Sequence, residues 1–262
     1  MKILCDTHSH TIASTHAYST VHDYIRDAQA NGLQLFSLTD HGPTMPDAPH
    51  PWHFGNMKIL PRVVENIAIL RAIEANILPE PFANTRDRYV DLPDGMLGYL
   101  DFAIASFHEP VFAPGSVREN TQAMIRAITS GVIQIIGHPG NPKFPVDQDE
   151  IVRAAKDHNV LLEINNSSFL QSRNGSEPHC RSLLELIDKH AGQVSLGSDA
   201  HISFDVGRFD YTLGILDELG FDERRITTKT PERFLAFLAT HDKPVATDLA
   251  PWLATLPAAP GL

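Results

Sequence analysis

The chain has 262 residues, 42% of them hydrophobic, and carries a formal net charge of −11. This length and hydrophobic content suit one α/β barrel, and no linker, low-complexity tract or charge block divides the chain. The negative charge argues against broad binding to nucleic acid or to an anionic membrane, because phosphate recognition normally leaves a basic footprint.

Cysteine content and hydrophobic patterning indicate a cytoplasmic protein. Cys5 and Cys180 make no disulfide framework, and reduced thiols fit a reducing compartment. No apolar segment has the length of a signal peptide or of a membrane span. We expect a single domain over residues 1–243. Residues 244–262 form a tail rich in proline and alanine, which is expected to be partly unstructured or to lie across the surface.

Short apolar runs recur along the chain and are typical of strands that are covered on both faces. They comprise residues 3–5, 35–38, 67–73, 102–105, 132–136, 160–164 and 194–196. Amphipathic helical patterns separate most of them, at residues 21–30, 121–129, 149–156, 180–190 and 208–218. This alternation predicts parallel strands in a closed or nearly closed α/β barrel. The run at 67–73 also has a spacing compatible with a helix, which would leave the barrel one strand short.

Potential metal ligands follow the ends of these runs. They are His8, His10, His16, His41, Glu74, His108, His138, Asp199 and His201. Each alone is equally well explained as a hydrogen-bonded or surface residue, but the carboxyl ends of parallel barrel strands open on one rim. The repeated placement therefore predicts a metal cluster. A set of imidazoles and carboxylates without sulfur suits Zn²⁺, Mn²⁺ or Fe²⁺.

The chain resembles the PHP (polymerase and histidinol phosphatase) family of metal-dependent phosphoesterases, and within it the small free-standing YcdX-like phosphatases. The supporting motifs run in family order from residue 6 to residue 201: DTHSHTIASTHAYS, TDHGP, DAPHPWHF, RAIEANI, FHEPVFAP, HPGNP, EINNSSF and GSDAH. The resemblance implies a distorted (β/α)7 barrel, the PHP fold, which agrees with the seven apolar runs.

The resemblance also implies a trinuclear metal centre. By motif, one ion would be held by His8, His10, Glu74 and Asp199, a second by Glu74 as a bridge with His108 and His138, and a third by His16, His41 and His201. Three divalent ions are thus expected, with zinc favoured and manganese or iron as alternatives. They would make the pocket locally positive, which suits a phosphate monoester dianion.

We therefore expect a phosphoric monoester hydrolase with a metal-bridging hydroxide as nucleophile and no nucleophile from the protein. The expected partner is a small phosphorylated substrate, and self-association into a homo-oligomer is left open. Arg173 follows a strand end, where it is either a phosphate clamp or a solvent-exposed arginine. His50 and His53 lie in the DAPHPWHF loop, which either contacts the substrate or is simply a packed aromatic loop.

Asp6 and Asp40 adjoin the predicted ligands in sequence. They are either acceptors that orient the ligand imidazoles or ordinary acids at strand ends.

Three kinds of alternative function are weighed against this hypothesis. An amidohydrolase-like barrel also uses an HxH motif, but it often bridges its metals with a strand-borne lysine, and no predicted strand here ends in lysine. A metal-stabilised accessory module is the alternative that is not an enzyme. Within the family, histidinol phosphatase and nuclease or phosphodiesterase activities are the alternatives on substrate.

Overall fold

The computed structural model describes residues 1–83, 85, 87–170 and 172–257. Its strands are β1 (Cys5–Asp6), β2 (Leu35–Leu38), β3 (Val63–Val64), β4 (Ile67–Asn76), β5 (Phe102–Ser106), β6 (Ile135–Ile136), β7 (Leu161–Asn165) and β8 (Val194–Gly197). Its helices are α1 (Val21–Ala30), α2 (Trp52–Asn56), α3 (Val117–Ile128), α4 (Gln148–Asp157), α5 (Ser176–Lys189), α6 (Asp210–Glu218), α7 (Pro231–Ala239), α8 (Val245–Asp248) and α9 (Ala250–Leu253).

The strands form a parallel barrel in the order β1-β2-β4-β5-β6-β7-β8, and β3 pairs antiparallel with β4. All seven predicted runs form strands, so the predicted fold class is confirmed. The ambiguous run at 67–73 lies in the longest strand, β4. The first and last strands meet just beyond their ends, where the His10 N–H donates to the Ala200 carbonyl at 2.8 Å. The barrel is therefore nearly closed, and its closure lies directly at the rim that holds the predicted ligands.

The predicted helices are also present, with bounds shifted by a few residues. Helix α1 has the predicted bounds because Thr20 caps its first turn through a reciprocal bond with Asp23, and Gly32 follows its end with φ of 71°. Helices α3 and α5 begin four residues earlier than their apolar patterns suggest. In the part of the chain that the structure describes, no helix combines the length and apolar character that a membrane crossing requires.

Alternation along the strands divides the barrel interior into an apolar floor and a polar rim. In β4, Ala68, Leu70 and Ala72 pack in the apolar cluster that fills the floor, together with residues of β5 such as Phe102. The next residue of the same parity is Glu74, which is buried at the rim. The strand thus fixes a carboxylate inside the barrel, above its apolar layer.

The C-terminal helices close the floor of the barrel. Phe234 of α7 packs edge-to-face on Phe102 with ring centroids 5.3 Å apart, and α8 and α9 add the buried side chains of Val245, Leu249 and Trp252. Residues 245–248 and 250–253 are therefore helical rather than unstructured, and their apolar side chains lie across the open end of the barrel. Residues 258–262 lie outside the described residues.

Candidate metal centre

Glu74 lies at the centre of the predicted ligand cluster. Five histidines have a ring nitrogen within 3.4 Å of its carboxylate oxygens: His8, His10, His41, His108 and His138. The main chain fixes this arrangement, because the Gly42 N–H donates to the Glu74 carbonyl at 2.7 Å and the Glu74 N–H donates to the Asp40 carbonyl at 3.1 Å. One buried carboxylate thus joins histidines from four separate strand ends.

The other predicted ligands extend the cluster toward solvent. Asp199 Oδ1 lies 3.3 Å from His10 Nε2, and the His201 ring centroid lies 4.4 Å from that of His10. The His16 ring lies 4.5 Å from His201 and contacts the Asp47 carboxylate through Nδ1. All nine predicted ligands therefore meet at one rim, with His16 and His201 at its exposed edge.

The donor atoms fit divalent cations. His8 Nε2 and His10 Nε2 face each other at 3.1 Å, and His10 Nδ1 and His41 Nε2 are buried without a hydrogen-bond partner in the described chain. Unpaired buried polar atoms are costly and call for a missing partner. Three sets of residues each bring their ligand atoms within 4.8 Å of one another: His8–His10–Glu74, His41–Glu74–His108 and His10–His41–His201.

Burial and neighbouring charges set the protonation of these donors. Burial, and next the nearby Arg173, lowers the pKa of His138 to about 4. Burial and the adjacent His41 hold the pKa of His10 well below its usual range. Burial acts in the opposite sense on Glu74, but His108 and His8 outweigh it and hold the pKa of that carboxyl well below its usual range. Burial also lowers the pKa of His8, but Glu163 and Glu74 outweigh it and hold that pKa well above its usual range. Cations bind neutral imidazoles and ionised carboxylates, so His8 must release a proton when a cation binds.

Two predicted ligands have strained backbones. His138 has φ of 33° and Asp199 has φ of 55°, in the left-handed region that side chains other than glycine rarely adopt. The Asp199 N–H donates to the His8 carbonyl at 2.9 Å, and the His138 N–H donates to Glu163 Oε2 at 2.8 Å. Such strain is retained where the surrounding structure fixes it, and it concentrates at functional sites.

Glu163 is a site residue that the sequence analysis did not single out. Its buried carboxylate in β7 accepts from the His138 N–H and lies 2.8 Å from His8 Nδ1. Gly197 allows this approach, since a Cβ there would lie 2.1 Å from Glu163 Oε1. A usable signal was present, because an acid two residues after Leu161 in LLEIN takes an interior position of a buried strand.

Asn76 orients His108 in the same way. Its Oδ1 lies 2.7 Å from His108 Nδ1, while its Nδ2 donates to Asp91 Oδ2 at 2.6 Å. Asn76 lies two residues after Glu74 in β4, so both side chains lie on the same face of the strand. This spacing could have identified Asn76 from the sequence. No sequence pattern identifies Asp91, which comes from a distant loop.

Asp6 and Asp40 do not orient ligand imidazoles. Asp6 accepts from the backbone N–H groups of His8, Ser198 and Gly207, and Asp40 accepts from Thr11, Ser14 and His53. The interpretation of these acids as acceptors for the ligand rings is therefore wrong. They hold the loops that present the ligands.

A cleft of about 830 Å³ opens over the cluster. Five predicted ligands line it, namely His16, His41, His108, Asp199 and His201. Arg173 also lines the cleft. Its Nη2 lies 3.0 Å from Asp199 Oδ2, and its side chain is mostly buried. The cleft is also lined by the apolar or aromatic side chains of Met45, Phe169, Leu170, Ile202 and Tyr211.

His50 and His53 do not line this cleft, which favours the packed loop over a substrate contact. Helix α2 directs His53 into a separate cavity of about 950 Å³, where its Nε2 lies 3.1 Å from Asp40 Oδ2. His50 is exposed, and its Nδ1 accepts from the Trp52 N–H at 3.2 Å. Only the last three residues of the DAPHPWHF segment belong to α2, and His50 lies in the loop before it.

A parallel barrel with imidazoles and carboxylates gathered at its carboxyl rim belongs to the class of metal-binding α/β barrels. Comparison with known proteins narrows this class. The model of the PHP domain family matches residues 6–170, so the chain belongs to the PHP-domain family, as its motifs predict.

Relatives and solved structures agree with this membership. The chain is 49% identical to a "probable phosphatase" of Edwardsiella ictaluri, over 94% of this chain and 98% of the relative. It is 53% identical to a "probable phosphatase" of Enterobacter sp., over 91% of this chain and 95% of the relative. The histidinol phosphate phosphatase of Lactococcus lactis, solved with zinc, L-histidinol and phosphate, superposes with a TM-score of 0.56 at 17% identity, over 85% of this chain and 95% of that chain. This last similarity supports the fold.

Proposed function

We propose that this protein is a metal-dependent phosphatase that hydrolyses small phosphate monoesters at the Glu74 cluster. The observation that supports this most is the single buried carboxylate shared by five histidines at the base of a cleft. The names of the relatives agree with it. The proposed ligands of three ions, with zinc favoured, are His8, His10, His16, His41, Glu74, His108, His138, Asp199 and His201.

The chain's own residues prepare this site for a phosphate. Divalent cations bound there would supply the positive charge that a phosphate dianion requires and would activate water for the displacement. Glu163 and Asn76 accept at Nδ1 of His8 and of His108, so Nε2 of each ring, on the side of Glu74, is the nitrogen that a cation would bind. Arg173, beside Asp199 in the cleft wall, is placed to donate to phosphate oxygens.

Metal removal and reconstitution test the proposal. The protein treated with a chelator should release no phosphate from an aryl phosphate, and added Mn²⁺ or Zn²⁺ should restore turnover. His158→Ala, which replaces an exposed histidine at the end of α4, serves as the control and should behave like the unmodified protein. Absence of phosphate release from every monoester of a metabolite panel, with metal present, would contradict the proposal and favour an accessory module.

A further inference from the structure

We propose that the cleft prefers phosphate monoesters whose alcohol bears an uncharged aromatic ring, and that Tyr211 and Leu170 form the surface against which this ring packs. The inference rests on the proposed phosphatase function and adds the class of leaving alcohol. It follows from the apolar side chains that line the cleft together with the predicted metal ligands.

This lining leaves large apolar side chains in contact with solvent. Tyr211, in the first turn of α6, is 54% exposed, and Leu170, which follows β7, is 43% exposed. Both line the same cleft as the predicted ligands. Apolar surface grouped inside a concave site gains free energy when a ligand covers it, and an aromatic ring packs well on tyrosine.

Among the described residues of the cleft, few charged side chains could bind a second charged group on the substrate, in addition to its phosphate. Apart from the predicted ligands, its charged residues are Arg173 and Asp205. Arg173 lies beside Asp199, where the phosphate is expected, and Asp205 is already paired with Arg208 at 2.8 Å. A second phosphate on the alcohol would therefore find no further arginine or lysine among these residues, and an ammonium group would have to share Asp205 with Arg208.

The two serine hydroxyl groups of the cleft are also engaged. Ser167 and Ser172 lie with their Oγ atoms 3.0 Å apart, and Ser172 Oγ also donates to the Ser167 carbonyl at 2.8 Å. A sugar with several hydroxyls would gain few hydrogen bonds from these two serines, and beyond them the Tyr211 side chain offers a single hydroxyl. A volume of about 830 Å³ is sufficient for an aryl-alkyl ester.

The test compares 2-phenylethyl phosphate with ethyl phosphate, whose leaving alcohols share the same –CH2CH2–O unit and differ by the ring. With metal-loaded protein, kcat/KM should be about tenfold higher for the phenylethyl ester, as ring burial implies. Tyr211→Ala should reduce this preference about fivefold, with the ethyl ester little changed, and Tyr211→Phe should preserve it. Calorimetry should give the same ranking for binding of 2-phenylethylphosphonate and ethylphosphonate, without turnover.

Tyr99→Ala is the matched control, because Tyr99 is 47% exposed and lines the other cavity. It should leave both substrates unaffected. Equal kcat/KM for the two esters, or a preference for L-histidinol phosphate over the phenylethyl ester, would overturn this inference while preserving the phosphatase function. Failure to hydrolyse either ester by a protein that still hydrolyses other monoesters would also overturn this inference alone, whereas failure with every monoester of the panel would overturn the function itself.

Discussion

Glu74→Gln is expected to reduce phosphate release more than about a hundredfold and to lower the amount of bound metal. Glutamine preserves the shape of the side chain but removes its negative charge. The two carboxylate oxygens lie among five imidazoles. Glu74 also belongs to two of the three groups of potential ligands, so the variant loses a negatively charged ligand from both. Turnover of an aryl phosphate and metal analysis of the purified variant measure the two effects.

Glu185→Gln controls for this experiment, because it makes the same substitution at an exposed position of α5. It should preserve both metal content and turnover. Full activity and metal content in Glu74→Gln would mean that the cluster does not depend on this carboxylate, and the proposed site would have to be abandoned.

Glu163→Gln is expected to weaken metal binding about 10–100-fold. The carboxylate uses one oxygen at His8 Nδ1 and the other at the His138 N–H. A glutamine offers only one acceptor oxygen. Either His8 Nδ1 or the His138 N–H would therefore face the amide NH2 group of the glutamine instead of an oxygen. Either His8 loses its orientation or the strained backbone of His138, with φ of 33°, loses the bond that fixes it.

Titration of the metal-free variant with Zn²⁺ measures this effect, and excess metal should restore much of the lost turnover. That rescue separates a positioning residue from a direct ligand, since Glu74→Gln should not recover in the same way. Thermal unfolding of the metal-free proteins reports any general loss of stability. An unchanged affinity in Glu163→Gln would show that its two contacts do not position the ligands.

The sequence was sufficient to predict the barrel and the convergence of the ligands, because both depend on local patterns. Consecutive apolar residues indicate buried strands, and parallel strands necessarily bring residues at their ends to one rim. His8 and His201 lie 193 positions apart in the chain, yet each follows a strand end that the pattern identifies. The extra strand β3 was not predicted, because Val63 and Val64 are only half-buried and belong to no longer apolar run.

The partners of the ligands were harder to predict, because hydrogen bonds between distant segments follow no local pattern. Asp91 supports Asn76 from a separate loop, and Asp47 contacts His16 in the same way. Helix α2 turned His53 toward Asp40 through contacts that the DAPHPWHF motif does not reveal. The C-terminal segment resembled a tail because its proline and alanine content obscured the spacing of Val245, Leu249 and Trp252, which cover the barrel floor.

Metal content is the most direct test of the proposed centre. The protein should be purified without added metal chelator, loaded with Zn²⁺ or Mn²⁺, freed of unbound ions by gel filtration and analysed by elemental mass spectrometry. The proposed ligand set predicts about three divalent ions per chain, as its nitrogen and oxygen donors imply. A reproducible content of one ion or none would contradict the trinuclear centre.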